Sequence, residues 1–238
     1  MEAIILAGGQ GTRLRSVVSD LPKPMAIIAG RPFLAYLFDY LASHRFDRLI
    51  VSTGFMHEKI EAYFGTSYRG MRIDYSREIT PLGTGGAVKL ALEKTKKDTV
   101  FVFNGDTFFA INIADLLTSH IQSQSPITIA LKPMEQFERY GNVISVDGSV
   151  IAFEEKKYFD HGTINAGVYI LESAIFNSVK LPEKFSFETD FLEKNLKSMK
   201  CNAVIADEYF IDIGVPSDYY KAGQELADVV ASKVGSIR

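Results

Sequence analysis

The residues with the clearest chemical potential are three glycines, an arginine and a clamped lysine near the start of the chain. Residues 4–25 read I-I-L-A-G-G-Q-G-T-R-L-R-S-V-V-S-D-L-P-K-P-M. The apolar run Ile4, Ile5, Leu6 has the character of a buried strand and breaks into Gly8, Gly9 and Gly11. Glycine lets backbone N–H groups approach a ligand with no Cβ in the way. Arg13 follows at once, and Lys23 stands between Pro22 and Pro24, whose rings stiffen the backbone around it. A strand, a glycine turn and two fixed cations make a cradle for a polyphosphate. Two commoner loops are excluded by spacing. A Walker A loop needs a lysine directly after its last glycine, and Thr12 follows Gly11. A dinucleotide fingerprint starting at Gly9 needs a small residue at position 14, which is Leu14. A plain glycine turn would need neither Arg13 nor the Pro-Lys-Pro clamp.

The elements that must position these residues alternate through the first half. Ile4–Leu6 reads as a strand. Phe33, Leu34, Leu37, Phe38 and Leu41 have helical spacing, which predicts a helix over Pro32–Ser43 with Pro32 at its first position. Strands are predicted at Leu49–Thr53, Arg72–Tyr75 and Thr99–Phe103, and helices at Glu58–Phe64 and Gly86–Lys94. This order implies an α/β fold: a Rossmann-like mixed, mainly parallel sheet with helices on both faces. Ligands in such sheets bind at the carboxyl ends of strands, where Gly8–Arg13 and Gly105–Asp106 both fall. The second half is richer in strands. Asn142–Val146 and Val150–Glu154 flank Asp147-Gly148, a hairpin signal. Gly167–Leu171, Val204–Ile205 and Tyr209–Ile211 read as strands, Phe187–Ser198 as a helix, and Pro216 as the start of a final helix. No linker or repeat divides the chain, so residues 1–238 are expected to form a single domain.

Composition narrows the function classes. The chain has 238 residues, 47% hydrophobic and 23% charged, with a net charge of −3. Without a basic block, nucleic-acid binding has no electrostatic footprint. The single Cys201 forbids an internal disulfide and fits a reducing compartment. It has no partner motif for nucleophilic work and is expected to be buried. No basic leader, long apolar span or lipidation signal is present, so a cytoplasmic location is expected, with no membrane partner. His44, His57, His120 and His161 lack metal-ligand spacing and are assigned to the surface. Phe101 and Phe103 belong to a strand.

The opening segment resembles the signature of the sugar-1-phosphate nucleotidyltransferases, G-G-x-G-T-R-L followed by P-K-P. Four further matches follow in the family's order: Leu82-Gly83-Thr84-Gly85-Gly86-Ala87, Asn104-Gly105-Asp106, Asn165-Ala166-Gly167 and Asp212-Ile213-Gly214-Val215-Pro216. Within the family, the short chain and Pro81–Gly86 look most like the guanylyltransferases acting on D-glycero-α-D-manno-heptose 1-phosphate.

The resemblance implies transfer of a nucleotidyl group, GMP from GTP, onto a sugar 1-phosphate, with release of pyrophosphate. A phosphate monoester has a second pKa of about 6, so the nucleophile is already ionised and no general base is needed. Catalysis then rests on positioning and charge neutralisation. By resemblance, Arg13 grips the triphosphate tail and Lys23 lies near the transferring phosphate. Asp106 and Asp212 are the implied magnesium ligands, in keeping with that ion's taste for oxygen donors. Leu6, Ala7, Gly8, Gly9, Gly11 and Thr12 are the implied nucleotide-phosphate loop, and Gly83, Thr84 and Gly85 the base loop, with room for a flat base. Glu78, just before that loop, is a candidate reader of guanine's paired donors; its other reading is a solvated carboxylate at a strand end. Gly141, Glu155, Lys156, Asn165 and Glu188 resemble the sugar-phosphate pocket, with Lys156 on the phosphate and the others meeting hydroxyls. Strand alternation leaves open which of Glu154 and Glu155 faces the sugar.

Two rival readings follow. One keeps the reaction but uses UTP or dTTP and a hexose 1-phosphate, or mannose 1-phosphate with GTP. The other is a silent nucleotide-sugar-binding regulatory subunit, which would have no need of Arg13, Lys23, Asp106 and Asp212 together. Self-association into a homo-oligomer is left open by the sequence.

Overall fold

The computed structural model describes residues 1–9, 11, 14, 17–18 and 20–235. Arg13 and Thr12, named above for the phosphate loop, lie outside the described residues.

The first half follows the predicted alternation. Strand β1 (Glu2–Leu6) leads through a short 3-10 turn at Lys23–Met25 and the small pair β2 (Ile27–Ile28) and β3 (Arg31–Pro32) to helix α1 (Phe33–Ser43). Pro32 is the N-cap of α1, with ψ at 140°, and Phe33 is the first helical residue. Then come β4 (Arg48–Thr53), α2 (His57–Phe64), β5 (Ser67–Tyr68), β6 (Met71–Arg77), α3 (Gly83–Leu92), β7 (Thr99–Asn104), β8 (Thr107–Phe109) and α4 (Ile113–Ser123). The second half holds β9 (Ile127–Phe137), β10 (Asn142–Val146), β11 (Ser149–Glu154), β12 (Phe159–Glu172), β13 (Cys201–Ile205), β14 (Phe210–Asp212) and the final helix α6 (Pro216–Gly235). The predicted helix at Phe187–Ser198 is a π-helical turn over Phe187–Leu192 followed by a single turn, α5 (Glu193–Asn195).

Among the described residues, ten strands form one sheet in the order β10-β11-β13-β9-β12-β7-β1-β4-β6-β5. The central strands β7, β1, β4 and β6 are mutually parallel. Alternation across the pleat sends successive side chains to opposite faces. Ile5, Val51, Phe101 and Phe103 join α1, α4 and α6 on one side. Ile4, Ile50, Val100 and Val102 meet α3 and the phenylalanines 185, 187 and 191 on the other. Both faces being covered explains why these strands read as continuous apolar runs.

The chain winds from β1 outward through β4 to β6, then returns to place β7 on the other side of β1. That reversal is the topological switch point, where a crevice opens beyond the strand ends. Leu6 lies in register with Asn104, and the Gly105 N–H donates to the Leu6 carbonyl at 2.9 Å. The glycine loop and the N-G-D turn are therefore fastened together at the mouth of the crevice.

The longest strand, β12, ties this parallel region to the antiparallel one. It pairs with β7 over Val168–Glu172 and with β9 along most of its length. Its register on β9 slips between Asn165 and Tyr169, around Gly167 at φ +71°. A Cβ at Gly167 would stand 2.5 Å from Asn104 Nδ2, so the position demands glycine on both counts. The N-A-G motif is thus a bulge, a device that re-aims a side chain out of a regular strand.

The surface assignment of the histidines is corrected for His120 and His44. His120 is 3% exposed, its Nδ1 2.8 Å from Thr128 Oγ1 and its Nε2 3.1 Å from Glu172 Oε1. These partners satisfy the ring inside the fold. His161 is exposed, as expected; His57 is only partly exposed, and His44 is half-buried, with burial lowering the pKa of its ring. Cys201 is buried, and burial pushes its thiol up to about 12.

Candidate active site

Two cavities adjoin at the carboxyl ends of β1 and β7. The larger, about 640 Å³, lies between the glycine loop and the start of α3. Of the residues named for the nucleotide, Leu6, Ala7, Gly8, Gly9, Gly11, Glu78, Gly83 and Thr84 line it. The smaller, about 240 Å³, is walled by Gly141, Lys156, Asn165 and Glu188, together with Asp212. Lys23, Asn104 and Asp106 belong to both.

Lys23 holds the junction. The prolines act as expected: Pro22 is extended at φ −65°, and the turn is closed by the Met25 N–H on the Pro22 carbonyl at 2.7 Å. The ammonium lies 2.6 Å from Asp106 Oδ2 and 3.1 Å from Asp212 Oδ1. Asp212 Oδ1 also accepts the Gly214 N–H at 2.7 Å, which fixes the D-I-G turn. Among the described residues no cluster of three or more metal-ligating side chains occurs. The two aspartates nevertheless fit a magnesium ion. They converge on one position that already holds a cation, and magnesium needs only one or two carboxylates beside phosphate oxygens.

Glu78 is more built-in than either sequence reading allowed. Its Oε2 accepts the Leu82 N–H at 2.9 Å, satisfying an amide at the start of α3, and its Oε1 faces Ser52 Oγ at 3.5 Å. Burial raises its carboxyl above the ordinary range, an effect the Leu82 bond partly offsets. It is a half-buried wall residue and not a solvated one.

The base-loop glycines open the first turn of α3, three residues earlier than the predicted helix start. Their small size also serves packing. A Cβ at Gly83 would meet the Phe185 carbonyl at 2.6 Å, and one at Gly85 the Phe185 ring at 2.2 Å. Gly85 is buried beneath that ring and faces it, not the cavity.

On the sugar side, Asn165 Nδ2 donates to Tyr169 Oη at 2.7 Å, and that hydroxyl donates to Glu188 Oε1 at 3.0 Å. Glu188 Oε2 accepts from Thr84 Oγ1 at 2.9 Å and lies 3.2 Å from Ser186 Oγ. Glu154 Oε2 accepts from Asn142 Nδ2 at 2.7 Å, and its Oε1 is paired with Lys157 at 3.2 Å. Glu155 is exposed beyond the end of β11 and forms no part of the cavity wall. The choice between Glu154 and Glu155 therefore goes to neither.

Arg139 and Tyr169 are among the wall residues of the smaller cavity that the sequence motifs do not point to. Arg139 forms an ion pair with Asp218 at 2.6 Å and approaches Asp212 Oδ2 at 3.9 Å. Its neighbours Tyr140-Gly141 were the available signal. Tyr169 is fully buried with its hydroxyl in the sugar-side network, and burial holds that phenol well above its ordinary pKa. An aromatic in a strand gives no hint of such a role.

This crevice, with its glycine loop, clamped lysine and paired aspartates, has the form of a nucleotide-phosphate transfer site. The chain matches the nucleotidyl transferase family over residues 2–229 and belongs to that family. It is 56% identical over 226 residues to the D-glycero-alpha-D-manno-heptose 1-phosphate guanylyltransferase of Aneurinibacillus thermoaerophilus, covering 95% of this chain and 98% of that one. Identity to the Campylobacter jejuni subsp. jejuni enzyme of the same name is 48%, over 92% of this chain and 97% of that one. The crystal structure of HddC from Yersinia pseudotuberculosis complexed with GMP-PN superposes with a TM-score of 0.84 at 37% identity, over 94% of this chain and 98% of that one. The mixed, mainly parallel sheet read from the sequence is therefore the family's architecture. Among the described residues no helix is long and apolar enough to cross a membrane.

Proposed function

We propose that this chain transfers a guanylyl group from GTP to D-glycero-α-D-manno-heptose 1-phosphate, giving GDP-heptose and pyrophosphate. The observation that carries the reading is the pair of adjoining cavities sharing Lys23 and Asp106, in a chain 56% identical to a guanylyltransferase of that name. GTP occupies the larger cavity and the sugar phosphate the smaller. A sugar-phosphate oxygen attacks the α-phosphorus. The bond from that phosphorus to the β-bridging oxygen breaks, and its electron pair leaves with pyrophosphate. The attacking oxygen carries no proton to remove, so no base is required.

The catalytic work falls to fixed charge. Lys23 neutralises the phosphate undergoing transfer, and Arg13 the departing pyrophosphate. Lys156 holds the sugar phosphate, with Asn165 and Glu188 on sugar hydroxyls and Gly141 at the backbone. Asp106 and Asp212 would hold a magnesium ion, which supplies Lewis-acid neutralisation of phosphate charge when bound. Glu78 accepts guanine's adjacent N–H donors with the capacity left beside the Leu82 amide. We assign the whole chain to one catalytic domain, and its buried, unpaired Cys201 supports a reducing compartment.

The test is pyrophosphate release with GTP, UTP and dTTP, each crossed with heptose, mannose and glucose 1-phosphates. GTP with the heptose phosphate is expected to give the highest kcat/KM. A preference for UTP or dTTP would overturn the guanylyl reading, and no release with any pair would favour a binding subunit.

A further inference from the structure

We propose that Thr84, a residue of the nucleotide cavity, sets the affinity for the sugar phosphate by positioning Glu188. The proposal rests on the reading of Glu188 as an acceptor for a sugar hydroxyl. Thr84 stands in the first turn of α3 and lines the larger cavity. Its hydroxyl nevertheless donates to Glu188 Oε2 at 2.9 Å and accepts the Phe187 N–H at 2.8 Å. A hydroxyl has a single hydrogen to give, and here it is given across the divide between the two cavities.

Glu188 is held from three directions. Thr84 approaches from α3, Ser186 Oγ from the preceding loop at 3.2 Å, and Tyr169 Oη from β12 at 3.0 Å. A carboxylate offers about four acceptor sites. Three are filled by the protein, which leaves about one for a donor in the smaller cavity. The Thr84 bond is the one that comes from the nucleotide side. Without it, Oε2 loses its link to α3, and the carboxylate is free to turn about the Tyr169 bond. The remaining acceptor would then no longer be preset for an incoming hydroxyl. Thr84 is a positioning residue, and its effect should appear in the parameter of the substrate whose cavity it does not line.

The experiment measures KM for GTP and for heptose 1-phosphate separately in Thr84→Val, Thr84→Ser and Glu188→Gln, with thermal melting to confirm folding. Thr84→Val is expected to raise the sugar-phosphate KM about tenfold, the scale of one hydrogen bond to a charged group, and to raise it several times more than the GTP KM. Thr84→Ser retains the hydroxyl and should restore the wild-type value. In the double variant Thr84→Val/Glu188→Gln the two losses should fall short of adding. If valine prevents folding, Thr84→Ala serves in its place with the same expectation. A rise in the GTP KM alone, equal rises for both substrates, or failure of serine to rescue would overturn the positioning role. An unchanged sugar-phosphate KM in Glu188→Gln would instead overturn the reading of Glu188 itself, so the two failures are distinguishable.

Discussion

Lys23 bridges Asp106 and Asp212, its ammonium 2.6 Å from one carboxylate and 3.1 Å from the other, with only 9% of the lysine side chain exposed. Two carboxylates brought this close repel each other unless a cation lies between them. The lysine therefore stabilises the geometry that a divalent ion with bound phosphates would use.

Asp106→Asn and Asp212→Asn are each expected to lower turnover by about a hundredfold or more, the scale of removing one charged or polar contact at a reacting group. Melting temperatures should stay close to wild type, and titration with manganese in the presence of GTP should show weakened metal binding. EDTA should abolish activity in the wild type. Near-normal turnover of either variant in magnesium alone would remove that aspartate from the site.

Arg13 is expected to act on the transition state. If it neutralises charge growing on pyrophosphate, Arg13→Ala lowers kcat at least as strongly as it raises the KM for GTP. Steady-state kinetics with each substrate varied decides this. A pure KM effect would make it a binding residue only.

A base-reading Glu78 would link base choice to stability. Burial raises its carboxyl pKa in the folded protein. Such a group contributes stability below its unfolded pKa, and that contribution is lost as pH rises through the folded value. Near neutral pH its charge therefore costs stability. Glu78→Gln, whose amide oxygen can still accept the Leu82 N–H, should raise Tm near neutral pH, and the gain should shrink as pH falls toward the ordinary carboxylate range. The same change should cut kcat/KM for GTP by about tenfold or more, because an amide cannot accept guanine's two donors as a carboxylate can, with less effect on UTP or dTTP. Equal loss with every nucleotide would mark Glu78 as structural.

Cys201 should be silent toward thiol reagents. It is 1% exposed, and its thiol is pushed up to about 12 by burial. Labelling with iodoacetamide at mildly alkaline pH is expected only after denaturation, since the thiolate is the reactive form. Rapid labelling of the folded protein, followed by mass spectrometry, would contradict the packing around β13.

What could be read in advance divides by the range of the interactions involved. The glycine loop, Asn104-Gly105-Asp106 and the Asp147-Gly148 hairpin are local patterns at strand ends, and the structure places them there. His120 could not be read, because its burial depends on Thr128 and on Glu172 from another strand. Tyr169 and Glu188 are brought into hydrogen-bond contact only by the fold. The first turn of α3 is hidden in the sequence because glycine is a poor helix former, and tertiary contact with Phe185 overrides that preference. The Asp160-His161-Gly162-Thr163 stretch of β12 has no apolar alternation, so only its Gly167–Leu171 end was read as strand. Helix α4 carries a local start signal, Asn112, whose side chain accepts from the Ala114 and Asp115 amides.

The hairpin of β10 and β11 leaves the smaller cavity just after Gly141 and returns to it just before Lys156, with its turn at Asp147-Gly148 carried to the outer margin of the sheet. The lysine–aspartate junction sits instead on turns beside the central strands. A change of length or sequence at the Asp147-Gly148 turn therefore reaches the smaller cavity only through the hairpin's two ends, at Gly141 and Lys156, and leaves the contacts of Lys23 with Asp106 and Asp212 intact.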